Sequence, residues 1–267
     1  MSITLERPYA ISEKGGRPNN EDAIFPPSES EDSDRKLFIV CDGVGGAEKG
    51  EIASVLACEA FQTYFSTFLE DEPSKEFIQK AVQYTEVRFD DYVSQYPEAK
   101  GMATTLTMLY TGESGITVAH IGDSRIYQFR DGKMIYRTED HSLVNSWVKA
   151  GIITAEEAQE HPRKNVITRA IQETERPAEA DVALLTDIRS GDYFFLCTDG
   201  VTDCLSDETL SGIFSEAGSP EKIKNTIVEY CSKTARDNFS FYLLPIQQVQ
   251  NTSSYKQFIL SFLYTFI

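Results

Sequence analysis

The sequence predicts an α+β fold built on mostly antiparallel sheets, and three observations predict it. Residues 50–93 carry helical patterns in one block. Residues 103–137 hold three apolar runs broken between Gly112 and Gly115, at Gly122-Asp123 and at Asp131-Gly132, the spacing of a β-meander. Strands and helices are grouped rather than strictly alternating, which argues against a doubly wound parallel sheet.

Each element has its own signal. Residues 35–42 (RKLFIVCD) form a short apolar run rich in β-formers that stops at an acid. Residues 50–69 read as a helix with a small-residue face, and a second helix runs from Ser74 to about Val93, ending before Pro97. After the meander, residues 142–160 return to helical character, with Thr154 as an N-cap before Ala155-Glu156-Glu157. Strands are expected at 164–171 and 180–198. A last helix from Pro220 to Thr234 has Ser219 as its cap and Pro220 at the first helical position. A final strand starts near Asn238, and Pro245 is expected to interrupt it. Residues 28–34 (SESEDSD) read as a polar loop.

Composition narrows the function. The chain has 267 residues, 41% of them hydrophobic, with 16 Phe and 13 Tyr, enough apolar area for one domain with a real core. A formal charge of −17 argues against nucleic acid and anionic lipid as partners. The five cysteines form no CxxC pair, and a disulfide framework is not expected. No signal-peptide core and no bilayer-length apolar run is present, so the expectation is a cytoplasmic protein.

The chemistry lies in acids at strand ends. FIVCDGV (38–44) and FFLCTDGV (194–201) resemble each other, each a buried-type run that stops at Asp-Gly. Asp42 and Asp199 are therefore placed alike, and the glycines permit a sharp turn or close backbone approach. Asp123 sits in the HIGDSRIY turn, Asp237 precedes the last strand, and Glu21 and Asp22 precede a short apolar run. One Asp-Gly is usually only a turn. If several such ends converge, repulsion between the carboxylates calls for cations, and all-oxygen ligation points to Mg²⁺ or Mn²⁺. Three histidines without zinc-site spacing agree with that choice.

Eight segments in order carry a resemblance: RPNNED (17–22), VCDGVGGAEKGEIAS (40–54), ATTLTMLY (103–110), HIGDSRIY (120–127), TEDHSLV (138–144), NVITRAI (165–171), LCTDGVTD (196–203) and DNFS (237–240). From about residue 9 to residue 246 the chain resembles the metal-dependent protein phosphatases, the type 2C serine/threonine phosphatases in their compact bacterial form. The resemblance implies a sandwich of two antiparallel sheets flanked by helices on both outer faces. It implies hydrolysis of phosphoserine or phosphothreonine by a water bridging two divalent ions, Mn²⁺ or Mg²⁺. In that pattern Asp42 bridges the ions, Gly43 lends its carbonyl, and Asp199 and Asp237 complete the set. Asp123 matches the acid that holds a third, weaker ion. Arg17 matches the arginine that grips the phosphate. Glu21 and Asp22 match the acidic pair beside the metals, and Asn238 stands next to them. Residues 142–168 match a flap beside the site.

The implied organisation is a phosphatase domain over residues 1–246 and an apolar tail over 247–267. The implied partners are phosphorylated proteins, substrates of a serine/threonine kinase, and a monomer is expected. Membrane contact through the tail is the less favoured alternative to packing. Val44 stands where eukaryotic members carry a histidine, so the proton donor has no assigned residue. Ala103, the Ile171-Gln172 pair, Phe239 and Ser240 are milder departures. Cys41 and Cys197 read as buried small hydrophobes, and Trp147 and His141 as structural residues. The alternative function is a weakly active or silent member that binds phosphoproteins as a regulatory module. A nuclease or small-phosphoester hydrolase fits the charge and the motif order less well.

Overall fold

A computed structural model describes residues 1–27, 35–44 and 49–250. Two antiparallel sheets pack face to face, with helices on both outer faces. The first sheet comprises β1 (Ser2–Leu5), β2 (Tyr9–Glu13), β8 (Arg125–Arg130), β9 (Lys133–Arg137), β11 (Tyr193–Cys197) and β12 (Phe239–Gln250). Its order is β1-β12-β11-β8-β9, and β2 shares the β1 side of β12. The second sheet comprises β3 (Asp22–Phe25), β4 (Leu37–Val44), β5 (Ala103–Thr104), β6 (Leu106–Thr111), β7 (Ile116–Ile121) and β10 (Asp181–Leu185). Its order is β10-β7-β6-β4-β3, with β5 on the end of β4.

The period of 2 along each strand explains why these strands read as unbroken apolar runs. In β4, Phe38 and Val40 enter the layer between the sheets, while Ile39 and Cys41 face the helices. In β11, Phe194 and Leu196 face inward and Phe195 and Cys197 outward. Both faces of β4 and β11 are thus covered, and each large apolar side chain, once buried, stabilises the fold by about 1.5–3 kcal/mol. Helices α1 (Lys49–Phe68) and α2 (Lys75–Gln95) cover the second sheet. Ala53, Ala57 and Ala60 are the small face of α1 that lets it lie close on β4. Helices α6 (Asp207–Glu216) and α7 (Pro220–Thr234) cover the first sheet through Leu210, Phe214, Ile223 and Ile227.

Several expectations are corrected. The meander does not stay in one sheet: the chain crosses between sheets at Gly122-Asp123, after the β6–β7 hairpin. Residues 142–160 form two short helices, α3 (Leu143–Lys149) and α4 (Ala155–Glu160), because Gly151 adopts φ +69° between them. Thr154 caps α4 in a reciprocal capping box with Glu157. Residues 164–171 are not a strand and make only isolated bridges, Ser142 to Ile167 and Thr104 to Ile171. Arg163, Lys164 and Asn165 are exposed there, leaving no apolar face to bury in a ladder.

The segment 180–198 splits into β10 and β11, which belong to different sheets. Pro245 does not interrupt β12, which runs on to Gln250 and pairs Gln250 with Ser2. Strand β12 thus continues past residue 246, where the phosphatase domain is expected to end. The Pro245 carbonyl accepts from the Glu6 N–H, and an irregularity in the β1 pairing accommodates the edge. Strands β1 and β2 and helix α6 were not foreseen. The polar loop at 28–34 and the tail from 251 lie outside the described residues. Among the described residues no helix is long and apolar enough to cross a membrane.

Candidate metal centre

Strand parity aims the acids. Asp42 continues the inward series of Phe38 and Val40, so it stands at the open end of the layer between the sheets. Asp22, the first residue of β3, is its direct cross-strand partner and lies on the same face. From the opposite sheet, β11 ends at Thr198, and Asp199 begins the short helix α5 (Asp199–Thr202). The carboxylates of Asp42 and Asp199 are within hydrogen-bonding reach of each other. Asp123, in the crossing between the sheets, adds its charge to Asp42 and feels that of Asp199. Asp237, in the loop before β12, faces Asp199 and Asp22.

The two Asp-Gly glycines are needed for close approach. A Cβ on Gly43 would stand 2.0 Å from the Gly50 carbonyl oxygen and 2.6 Å from that of Glu21. One on Gly200 would stand 1.9 Å from the carbonyl oxygen of Asn238. Neither glycine has a positive φ, so contact and not backbone freedom dictates them.

Backbone contacts fix the cluster. The Thr105 hydroxyl accepts from the Asp42 N–H at 2.9 Å, and the Thr104 hydroxyl donates to the Asp42 carbonyl at 2.9 Å. Glu21 accepts at its carbonyl from the Gly43 N–H and from the Ser54 hydroxyl, 3.0 and 2.6 Å away. Asn238 ties the loop carrying Arg17 and Glu21 to β12: its amide donates to Lys14 and Asn19 carbonyls and accepts from the Glu21 N–H. Arg17 is half exposed, and its Nη2 donates to Asp237 Oδ2 at 2.7 Å.

The electrostatics are those of crowded acids. Burial and then Asp22, Asp199 and Asp123 push the Asp42 carboxyl well above its usual range. Burial raises Asp22 to about 7 against hydrogen bonds from Ser240 and Thr198. Burial, then Asp203 and Asp237, raise Asp199 to about 6. Burial, then Asp199 and Asp140, raise Asp123 to about 8, with Arg125 opposing. Among the described residues the nearby cations are already paired at the rim: Arg17 with Asp237, Lys164 with Asp203, and Arg125 in a bidentate pair with Asp140 at 2.7 Å. Buried and partly buried carboxylates that outnumber the cations beside them, all oxygen donors, fit hard divalent ions.

Residues that sequence reasoning passed over include the Thr104-Thr105 pair, Asp140 and Asp203. Asp203 stands four residues after Asp199 and takes Lys164 Nζ at 2.8 Å, linking segment 142–168 to α5. The i, i+4 spacing of two acids in TDGVTD was the available signal. His141 lies outside the aspartate cluster, beneath that segment.

Comparison with known proteins places this geometry. Residues 13–219 match the family model for protein phosphatase 2C. The serine/threonine protein phosphatase PstP of Mycobacterium tuberculosis (strain CDC 1551 / Oshkosh) is 35% identical over 213 residues, covering 78% of this chain and 39% of that protein. The chain thus spans about two fifths of the length of the first curated relatives it matches. The serine/threonine phosphatase stp of Listeria innocua is 31% identical over 235 residues, covering 85% of this chain and 90% of that protein. A crystal structure of the M. tuberculosis phosphatase PstP/Ppp superposes with a TM-score of 0.78 at 31% identity, covering 92% of this chain and all of that one. The PstP catalytic domain crystallised with two manganese ions superposes at 0.75 and 29% identity, again covering 92% of this chain and all of that one.

Proposed function

Since the chain belongs to the protein phosphatase 2C family, we propose that it is a metal-dependent phosphatase that removes phosphate from phosphoserine and phosphothreonine in proteins. The observation that carries the reading is the meeting of Asp42 and Asp199 from opposite sheets, with Asp22, Asp123 and Asp237 around them. Asp42, the Gly43 carbonyl, Asp199 and Asp237 hold two Mn²⁺ or Mg²⁺ ions, and Asp123 holds a third, weaker one. The chemistry such ions supply when bound is activation of water and neutralisation of charge on the phosphoryl oxygens.

The chain's own residues do the positioning. Arg17 spends one N–H on Asp237 and keeps the rest of its guanidinium fork for the substrate phosphate, which it orients for in-line attack. Glu21 and Asp22 set the edge of the cluster, and Asn238 fixes the loop that carries Arg17 and Glu21. Thr104 and Thr105 hold the Asp42 backbone, and so fix the point from which its carboxylate enters the site. The side chain at Val44 carries no proton for the leaving group. Segment 142–168 is the flap over the site, and residues 1–250 are the phosphatase domain. The substrates are kinase-phosphorylated proteins met in the cytoplasm, and the working form is a monomer.

The test is hydrolysis of a phosphothreonine peptide with and without Mn²⁺. Activity is expected only with the ion, and Asp42→Asn is expected to remove at least about 10²-fold of it. Full activity in excess chelator would overturn the reading.

A further inference from the structure

A second cluster of titratable groups lies beneath the flap. His120, at the end of β7, is the direct cross-strand partner of Asp181 in β10. Its ring stacks on His141 with centroids 4.5 Å apart and planes 15° apart. Ligand-capable atoms of His120, His141 and Asp181 all lie within 4.8 Å of one another.

The hydrogen bonds argue against a metal there. His120 Nε2 faces the Glu139 carbonyl at 2.8 Å. His141 Nδ1 accepts from the Gly122 N–H at 3.1 Å, so the proton of the neutral ring is on Nε2. That Nε2 has no hydrogen-bond partner and stands 3.3 Å from Asp181 Oδ2, on a side chain only 10% exposed. Stacked rings, moreover, cannot both aim in-plane lone pairs at one ion.

What the cluster does hold is a glycine. The His141 N–H donates to the Gly122 carbonyl at 2.9 Å, while its ring accepts from the Gly122 N–H. Both polar groups of Gly122 are therefore held by one residue. Gly122 has φ +101° and leads directly into Asp123, and a glycine at that place is the freest residue the backbone can have. The clamp is itself anchored. The His141 carbonyl accepts from the Thr168 N–H at 2.7 Å, and Asp181 Oδ1 accepts from Arg169 at 2.8 Å. Burial, then His120 and Arg169, hold protonation of His141 down to about 4, so Nδ1 keeps its lone pair at neutral pH.

We propose that His141 is a positioning residue: by gripping Gly122 at both its N–H and its carbonyl, it fixes the direction of the Asp123 carboxylate and so sets the affinity of the weakest cation site. This rests on the reading of Asp123 as a ligand for that cation. His120 and Asp181 serve as the wall and the stop that hold the ring in place.

The test uses the full chain with three variants, H141A, H141N and D123N, and two readouts. The first is hydrogen exchange of the Gly122 amide in metal-free protein, and the second is calorimetric Mn²⁺ titration. H141A is expected to speed Gly122 exchange about tenfold or more. It is also expected to weaken the weakest Mn²⁺ class about tenfold, leaving the tighter ions unchanged. H141N, whose side-chain oxygen can stand where Nδ1 does, is expected to restore both. D123N is expected to abolish the weakest class while Gly122 stays protected.

Gly122 exchange unchanged in H141A would overturn the clamp. Faster exchange with an unchanged weakest class would overturn its positioning role. A weakest class that survives D123N would overturn the reading of Asp123 itself, and with it the link from clamp to cation. If H141A does not fold, His141→Gln, which fills the volume without an acceptor at the Nδ1 position, takes its place with the same expected results.

Discussion

Asp22 and Asp42 stand directly opposite each other at the site end of β3 and β4, and among the described residues no cation stands between them. Two acids so placed cost the fold stability whenever both are ionised. The folded-state values of Asp22, Asp199 and Asp123 are raised to about 7, 6 and 8, from an ordinary 3.8. A carboxyl whose pKa is raised by folding stabilises the fold while protonated, and that stability is lost as pH climbs from the unfolded value through the folded one. Metal-free protein is therefore expected to lose several kcal/mol between pH 5 and pH 8, less than the ~8 kcal/mol that three independent carboxyls would give because the groups share one cluster. In thermal scans that is a fall of roughly 10 °C or more. Saturating Mn²⁺ or Mg²⁺ should reverse it, and Asp42→Asn should flatten the metal-free profile. A metal-free Tm that climbs across this window would contradict the arrangement.

Arg17 and Asp237 make an ion pair whose side chains are 52% and 39% exposed. Such a pair contributes at most about 1 kcal/mol to stability. Arg17→Ala should thus leave the Tm nearly unchanged. Its cost should fall on the phosphopeptide, where losing charged hydrogen bonds lowers kcat/KM by roughly 10–100-fold. Arg17→Lys should recover only part of that loss, because an ammonium cannot form the planar two-point contact. Steady-state kinetics beside a melting curve separates the two effects.

How much of this was legible in the sequence depends on the range of the contacts. Local signals read well: the Ser219-Pro220 start of α7 and the Thr154 capping box stand as expected, because a cap is settled within four residues. The acids at strand ends were legible one by one, since Asp-Gly after an apolar run is a local pattern. Their convergence was not, because it depends on β4 and β11 lying in different sheets. Nothing local marks the Gly122-Asp123 turn as a crossing between sheets and not another hairpin. The roles of Thr104 and Thr105 were hidden likewise: each acts on Asp42, more than sixty residues away. The segment 164–171 misled because its β-formers, Val166 and Ile167, lie in a stretch with too little apolar surface to cover a sheet.

Gly43 and Gly200 are fixed by their neighbours, not by φ. Alanine at either brings a Cβ to about 2 Å from a backbone oxygen, 2.0 Å for Gly43 and 1.9 Å for Gly200. Backbone cannot yield as a flexible side chain would, so each substitution should cost at least about 1–3 kcal/mol. Equilibrium unfolding in urea should show both variants well below Gly212→Ala, a helical glycine with open space at the Cβ position. The Gly43 variant should also bind Mn²⁺ more weakly, since the carbonyl proposed as a ligand would shift with its residue. A Gly43→Ala protein as stable as Gly212→Ala would mean that β4 and the start of α1 lie farther apart than described.

Segment 142–168, proposed above as the flap, is tied to the helix that starts at Asp199 by Lys164 Nζ on Asp203, at 2.8 Å. Three residues earlier, His161 meets Trp147 edge-on, with centroids 5.1 Å apart. Trp147 is the only tryptophan in the chain, so its fluorescence reports on this segment alone. The Lys164 pair is about half exposed and worth at most about 1 kcal/mol, so Lys164→Ala should not change global stability by more than that. Locally it should let the flap move, raising acrylamide quenching of Trp147 and amide exchange over residues 155–165. If the flap contacts the protein part of the substrate, KM for a phosphopeptide should change by up to about fivefold, the ratio that 1 kcal/mol allows. Turnover of a small aryl phosphate, too short to reach the flap, should hold its wild-type value. Equal changes on both substrates would move the role of Lys164 from the flap to Asp203 and, through it, to Asp199.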